Sequence, residues 1–384
     1  MKLDKYLVFY IVVSLSMLAM LMFGMYSSRH AGHYRREGVY FLPARVVEVV
    51  EDRSVLNHFG ARQGSQELRV RLLAGPRRGD IINAQNILFP IEHGVYAQVG
   101  NRLLIFFEQW PGAAYYDYFA YVQSHDRSRA IYLVVILFFG LLAAVFGKTG
   151  IKSAFSLVFT FVVIIYLLLP LIVRGWPPAL LTTALSFVII SVSSIAIMGF
   201  GKKTYVSIAG TTLGIAFYGI FYLLIGAMLR ITGFNVQETD RLIVSAGHNV
   251  GISELLFCAI LIASLGALMD VAVSLASAVA ELSLTNKNAG FKDLFRFGMK
   301  VARDIIGSSS NTLILAFTGT FFITLILFNV NNVQYIVLIN RADIGIEVLR
   351  AISASAAMVL CAPATVLIGS HVFSSKEGRR KVWN

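Results

Sequence analysis

Apolar residues run without a charged position from Tyr6 to Met25. A bilayer core of about 30 Å takes about 20 residues of helix. Similar runs recur at Ala130–Phe146, Ala154–Val173, Ala179–Met198, Val206–Leu229, Ser253–Leu275, Leu313–Phe328 and Val348–Gly369. The pattern predicts an α-helical polytopic membrane protein with about eight transmembrane helices. The first run is longer than the apolar core of a signal peptide, about 7–15 residues, and no small-residue cleavage site follows it, so it reads as an uncleaved anchor.

Between the first two runs the pattern changes. Phe41–Val50, Glu67–Leu73, Leu103–Phe107 and Tyr115–Val122 are short, Val-rich, alternating or aromatic runs, punctuated by Gly75-Pro76 and Gly79-Asp80. Strands at such spacing predict a small barrel or sandwich, an oligonucleotide- or oligosaccharide-binding type of barrel among the options. The expected organisation is an anchor at 1–26, an extracytoplasmic β-rich domain at 27–129, a seven-helix membrane domain at 130–372 and a basic cytoplasmic tail at 373–384. Tyr115, Tyr116, Tyr118, Phe119 and Tyr121 are expected to pack in a core or near the membrane interface, with ligand stacking as the alternative.

Composition fits this reading. Hydrophobic residues make up 57% of the chain and charged ones 14%, against about half and about a quarter in a soluble domain. The net charge of +12 does not mark a nucleic-acid surface, because all eleven lysines fall in termini or loops that alternate counting puts on one side. Basic short loops mark the cytoplasmic face, so both termini are expected inside the cell membrane. Cys258 and Cys361 both lie in apolar runs, which excludes a disulfide-stapled exterior.

Asp270 is the unusual residue, an acid inside an apolar run. Such a group costs roughly 2.5–3.5 kcal/mol at a helix centre on insertion scales. Asp270, Ser274, Ser277 and Glu281 share one helical face by spacing. Asp304, Ser308 and Asn311 form a second stripe, with Thr318 beyond. Between the stripes, Phe291–Ile305 reads as an interfacial amphipathic helix. Asp270, Ser274, Ser277, Asp304, Ser308 and Asn311 are therefore candidates for a proton or ion relay, the two stripes facing each other across a bundle. Helix-to-helix adhesion is the plainer alternative, adequate for Ser277 and Thr318.

Lesser candidates are a pairing of Glu347 with Arg350, metal binding by His248 and Glu254, and a kink or stop at Pro363. The chain has no HExxH, no complete Walker A after Gly201-Lys202-Lys203 and no GxSxG, and no cofactor or metal is expected.

The runs Ala44–Asp52 and Val70–Asp80, the segment Asp126–Ala130, and above all residues 266–272, 303–307 and 310–316 resemble the YibE/F-like family of bacterial membrane proteins. The resemblance implies topology rather than a reaction. An acid after a glycine-rich stretch, an amphipathic helix and then a polar span is also similar to the proton-driven membrane domains of the resistance–nodulation–division and Sec-accessory families. The small external domain and two additional spans depart from those.

Three functions compete on this reading. The first is a transport protein or ion-coupled permease component. The second is a noncatalytic assembly subunit whose β domain docks a partner, in a homo- or hetero-oligomer with a related membrane protein. The third is an intramembrane aspartyl hydrolase using Asp270 and Asp304, although Val301-Ala302-Arg303-Asp304 lacks the Gly-x-Gly-Asp pattern.

Overall fold

A computed structural model of the chain describes residues 5–30, 38–58, 60–89, 95–109, 117–231, 252–286 and 288–374. The chain falls into two compact units, Arg29–Ala144 on one hand and Met1–Ser28 with Val145–Asn384 on the other.

The first unit is built on strands β1 (Val39–Asp52), β2 (Val55–Leu56), β3 (Arg62–Leu72), β4 (Ile81–Leu88), β5 (Arg102–Glu108) and β6 (Phe119–His125). β1 pairs along its first half with β5 and along its second half with β3. Two register shifts, at Val46/Glu48 and Val49/Glu51, bend it enough to serve both neighbours. The order β1-β5-β6-β4-β3, closed by β1–β3, makes a five-stranded barrel. Its one parallel pairing, β4 with β6, gives it the Greek-key plan of the oligonucleotide- and oligosaccharide-binding type.

Strict alternation fills the barrel. Leu42, Ala44 and Val46 of β1, Leu68, Val70 and Leu72 of β3, and Leu103, Ile105 and Phe107 of β5 form one buried cluster. Two amides enter this interior and are matched there. Gln66 Oε1 accepts from the Asn86 amide and from Ala97 N–H, and Asn86 also donates to Val95 O. Buried polar groups need such partners, since an unmatched one costs about 1–3 kcal/mol. The pair thereby fixes the segment from Val95 to Ala97 across the barrel end.

The sequence runs foresee β1, β3 and β5. β4 is absent from that reading, because Asn83 and Gln85 on its outward face and Asn86 on its inward face, beside Ile82, Ala84 and Leu88, carry too many amides for a strand signal. β6 begins at Phe119 rather than Tyr115, and Tyr115 and Tyr116 lie outside the described residues.

Helices make up the rest: α1 (Lys5–His30), α2 (Ser128–Val163), α3 (Leu169–Val173), α4 (Pro178–Met198), α5 (Lys202–Leu229), α6 (Ile252–Thr285), α7 (Phe291–Thr320), α8 (Phe322–Val330), α9 (Tyr335–Ile339) and α10 (Ala342–Ser374). Among the described residues six helical segments are long and apolar enough to cross a bilayer, and the bent pair α7–α8 passes the same test when taken together. The protein is a multi-pass membrane protein.

Three breaks have local causes. Within α2, Gly147 has φ 55 and ψ −129, a backbone state closed to other residues, and the helix is interrupted there. Before Pro170, Ile164–Leu168 widens into a π turn. Proline has no N–H and its ring collides with the carbonyl four residues back, which the wider turn relieves. Between α7 and α8 the axis bends by 56° at Phe321. There the Thr318 and Thr320 hydroxyls donate to the carbonyls of Ile314 and Phe317, a form of back-bonding that bends helices. The apolar run Leu313–Phe328 is therefore two helices, while Phe291–Ile305 and the residues after it form one continuous helix, α7. Pro363 neither stops nor caps α10, which continues to Ser374.

The bundle core centres on α5, α6 and α10. Gly210 and Gly214 of α5 lie one turn apart, facing Thr365 and Cys361 of α10. Cys361 Sγ donates to Gly210 O at 3.4 Å, and Leu268 of α6 closes the same junction against Gly214. Small residues permit this closeness, which in lipid is the main attraction between helices.

Candidate functional site

From its second turn to Ala280, α6 carries a single charged residue, Asp270, and three serines, Ser264, Ser274 and Ser277. Its inner face, with Leu261, Leu268, Val271, Ala272 and Leu275, is fully buried against the bundle. Its outer face carries Ala263, Gly266, Asp270, Ser274 and Glu281, all exposed, with Ser277 half-buried. The helix thus turns its single mid-helix carboxyl away from the packed core. No described residue forms a hydrogen bond or ion pair with Asp270.

α7 repeats the arrangement. Leu294, Gly298 and Ala302 are buried, and Asp304, Ser308, Asn311, Thr312 and Thr318 are exposed. The Thr312 hydroxyl is satisfied by Ser308 O at 3.0 Å. Ser310 Oγ is buried without a hydrogen-bond partner among the described residues.

The two helices meet at one glycine. Gly298 is seated against Val279 of α6 and Val366 of α10, so three helices meet there. At about 1.5 Å per residue, Asp270 lies about 14 Å back along α6 from that point and Ser308 about 15 Å along α7. Asp270 and Ser308 are thus each about two to three turns of helix from that junction. They do not bury one another, contrary to the expectation that the stripes face across a seam: both are exposed, and no hydrogen bond joins them among the described residues. The reason is α10, whose Ala357, Cys361, Ala362 and Val366 are wholly buried in the same core as Leu268, Val271 and Ala302. These inner faces pack on α10, and the polar faces turn outward.

Glu254 and the Glu347–Arg350 pair have structural roles. Glu254 lies in the first turn of α6, where its Oε2 accepts the Ala179 N–H at 2.7 Å. It thus satisfies one of the orphan donors at the start of α4, as an acid at a helix N-terminus should. His248 lies outside the described residues. Glu347 and Arg350 pair at 2.9 Å, one turn apart on α10, with the guanidinium 5.8 Å from the Phe317 ring. No group of three metal-binding side chains exists among the described residues.

Two features escape the sequence reading. The Gly210/Gly214 junction was legible as a GxxxG pattern in an apolar segment. The other is a cleft of about 400 Å³ in the barrel wall, where β4 and β6 meet only at Gln85 and Tyr121. It depends on β4, and so had no visible signal.

Comparison with known proteins agrees with the membrane half of this picture. The family described as YibE/F-like protein matches residues 134–375, from within α2 through α10, and the barrel strands lie before the matched region. No curated protein and no solved structure matches the chain. The match takes in more than half of the residues, both polar stripes among them, and the chain belongs to the YibE/F-like protein family.

Proposed function

We propose that this protein is a transport protein or ion-coupled permease component of the cytoplasmic membrane, with Asp270 as its proton- or cation-binding group. The observation that carries the reading is the exposure of Asp270 in the middle of α6, without a partner among the described residues, beside Ser274 and Ser277. Lipid does not tolerate an ionised carboxyl at that depth without a cost of roughly 2.5–3.5 kcal/mol. The face therefore meets water, and the hydroxyls of Ser274 and Ser308 with the Asn311 amide line the path.

The topology that accompanies this reading has eight spans. The segment Ser128–Val173 holds 46 residues. At about 1.5 Å per residue it would be about 69 Å long, more than twice the bilayer core, so the break at Gly147 counts as a turn between two crossings. With α7–α8 as one bent span the total is eight. The lysine distribution then puts both termini in the cytoplasm and the barrel on the opposite side.

The test is infrared pH-difference spectroscopy on the reconstituted protein, paired with proton uptake into vesicles under an imposed potential. A titrating carboxyl band that vanishes in Asp270→Asn, with uptake lost and thermal unfolding unchanged, is the expected result. An Asp270→Asn protein that keeps both the band and the uptake would overturn the assignment.

A further inference from the structure

The barrel cleft described above has a polar wall, an aromatic wall and room for a small ligand. Its volume of about 400 Å³ falls within the usual range of about 300–1,000 Å³ for ligand sites. The polar wall consists of Glu67, directly paired across the ladder with Gln85, and of Asn83 one step further along β4. All three point outward, and their side chains have no hydrogen-bond partner among the described residues. The aromatic wall is Tyr118 and Phe119.

That second wall is rigid. The Tyr118 hydroxyl accepts the Asn83 N–H at 3.0 Å, its ring stacks on Phe107 at 5.4 Å, and Arg77 lies 5.1 Å from it. Phe119 is half exposed and begins a row of rings that crosses three strands on the outer surface. Phe119 meets Tyr121 at 5.7 Å, Tyr121 stacks on Phe106 at 4.7 Å, and Phe106 meets Phe41 at 5.4 Å. Four rings in a line beside a hydrogen-bonding cleft make an elongated platform, fixed before any ligand arrives, and such preorganisation favours binding.

We infer that this cleft and its aromatic row form a binding site for a neutral oligosaccharide. Carboxylate and amide side chains offer both acceptors and donors to vicinal hydroxyls. The weakly positive C–H face of a pyranose suits the negative face of an aromatic ring. Single-stranded nucleic acid also stacks on rings, but it needs cations along the track. Here the cleft contributes an acid, Glu67, while Arg69 is paired with Glu48 and Arg77 with Asp80. The inference goes beyond the transport reading and does not depend on Asp270.

Titration of the full-length protein in lipid nanodiscs, free of sugar detergents, with chitotetraose, maltotetraose and an oligothymidylate tests it. Saturable binding of a tetrasaccharide is expected, weakened about tenfold by Asn83→Ala, by Gln85→Ala and by Phe119→Ala, each with unchanged thermal unfolding. Asn83→Asp, nearly identical in shape, should weaken it as well by removing the donor. Absence of binding by both sugars, tighter binding of the oligothymidylate, or sugar binding indifferent to these substitutions would each overturn the inference.

Discussion

Thr365 occupies the space into which a side chain on Gly210 would grow: a Cβ added there would lie 2.9 Å from the Thr365 Cβ. Real Cβ atoms do not come so close, and no change of rotamer moves the Thr365 Cβ, so α5 and α10 must part. Gly210→Ala should therefore destabilise the bundle by about 1–3 kcal/mol, the usual cost of overpacking. The double variant with Thr365→Ala should recover part of the loss. Thermal unfolding in detergent reads both, and a wild-type transition in the single variant would contradict the close approach.

The outward face of α6 gives a chemical prediction. Ser274 is exposed and Leu275, one residue on, is fully buried. Thiol reagents attack the thiolate, which needs water. A charged maleimide should modify Ser274→Cys in membranes and leave Leu275→Cys intact, while the native Cys258 and Cys361 remain silent because both are buried. Equal labelling at the two positions would remove the water path from the transport reading.

Glu254 illustrates how an acid within a membrane protein can be structural. Its bond to Ala179 N–H reaches from α6 to the first turn of α4. Glu254→Ala should cost about 1–3 kcal/mol by leaving that donor unmatched. Glu254→Gln, which still accepts, should cost less. If the two variants unfold at the same temperature, the carboxylate does not anchor α4.

Acid should loosen the barrel through Asp52. Hydrogen bonds from Ser54, and then from Tyr96 and Gln66, hold its carboxyl down at about 2, against the opposing effect of partial burial. A depressed acid contributes its stability above the ordinary value near 3.8, and that contribution is lost as pH falls through about 2. Protection of the Ala97 amide, measured against its intrinsic exchange rate at each pH, should fall between roughly pH 4 and 2 in the native protein. Asp52→Asn should show fast exchange already at neutral pH. A flat profile in the native protein would mean that Asp52 does not hold this end of the barrel.

How far the sequence carried these conclusions depended on the length of the signal. Twenty apolar residues without a charge have one physical outcome, and Tyr6–Met25 and Ala179–Met198 are helices accordingly. Asp270 was legible for the same reason, since a carboxyl in such a run stands out against its neighbours. The outward direction of its face was not, because it is set by α10, some 90 residues further along, packing against the other side. β4 was hidden by its own chemistry: Asn83, Gln85 and Asn86 look like a loop until Gln66 and the cleft give the amides separate tasks. Gly147 shows the limit of local reading, for the run ending at Phe146 was plain while the turn occupies a single residue.

α7 remains one unbroken helix from the basic residues around Lys292 to the bend at Phe321. Thirty residues of helix make a strut about 45 Å long. A displacement imposed on its charged end, by a lipid headgroup or a neighbouring protein, would reach the far end through one continuous run of backbone hydrogen bonds. The corner at Phe321 is the joint where such a stroke would change direction, and Asp304 and Ser308 travel with the strut.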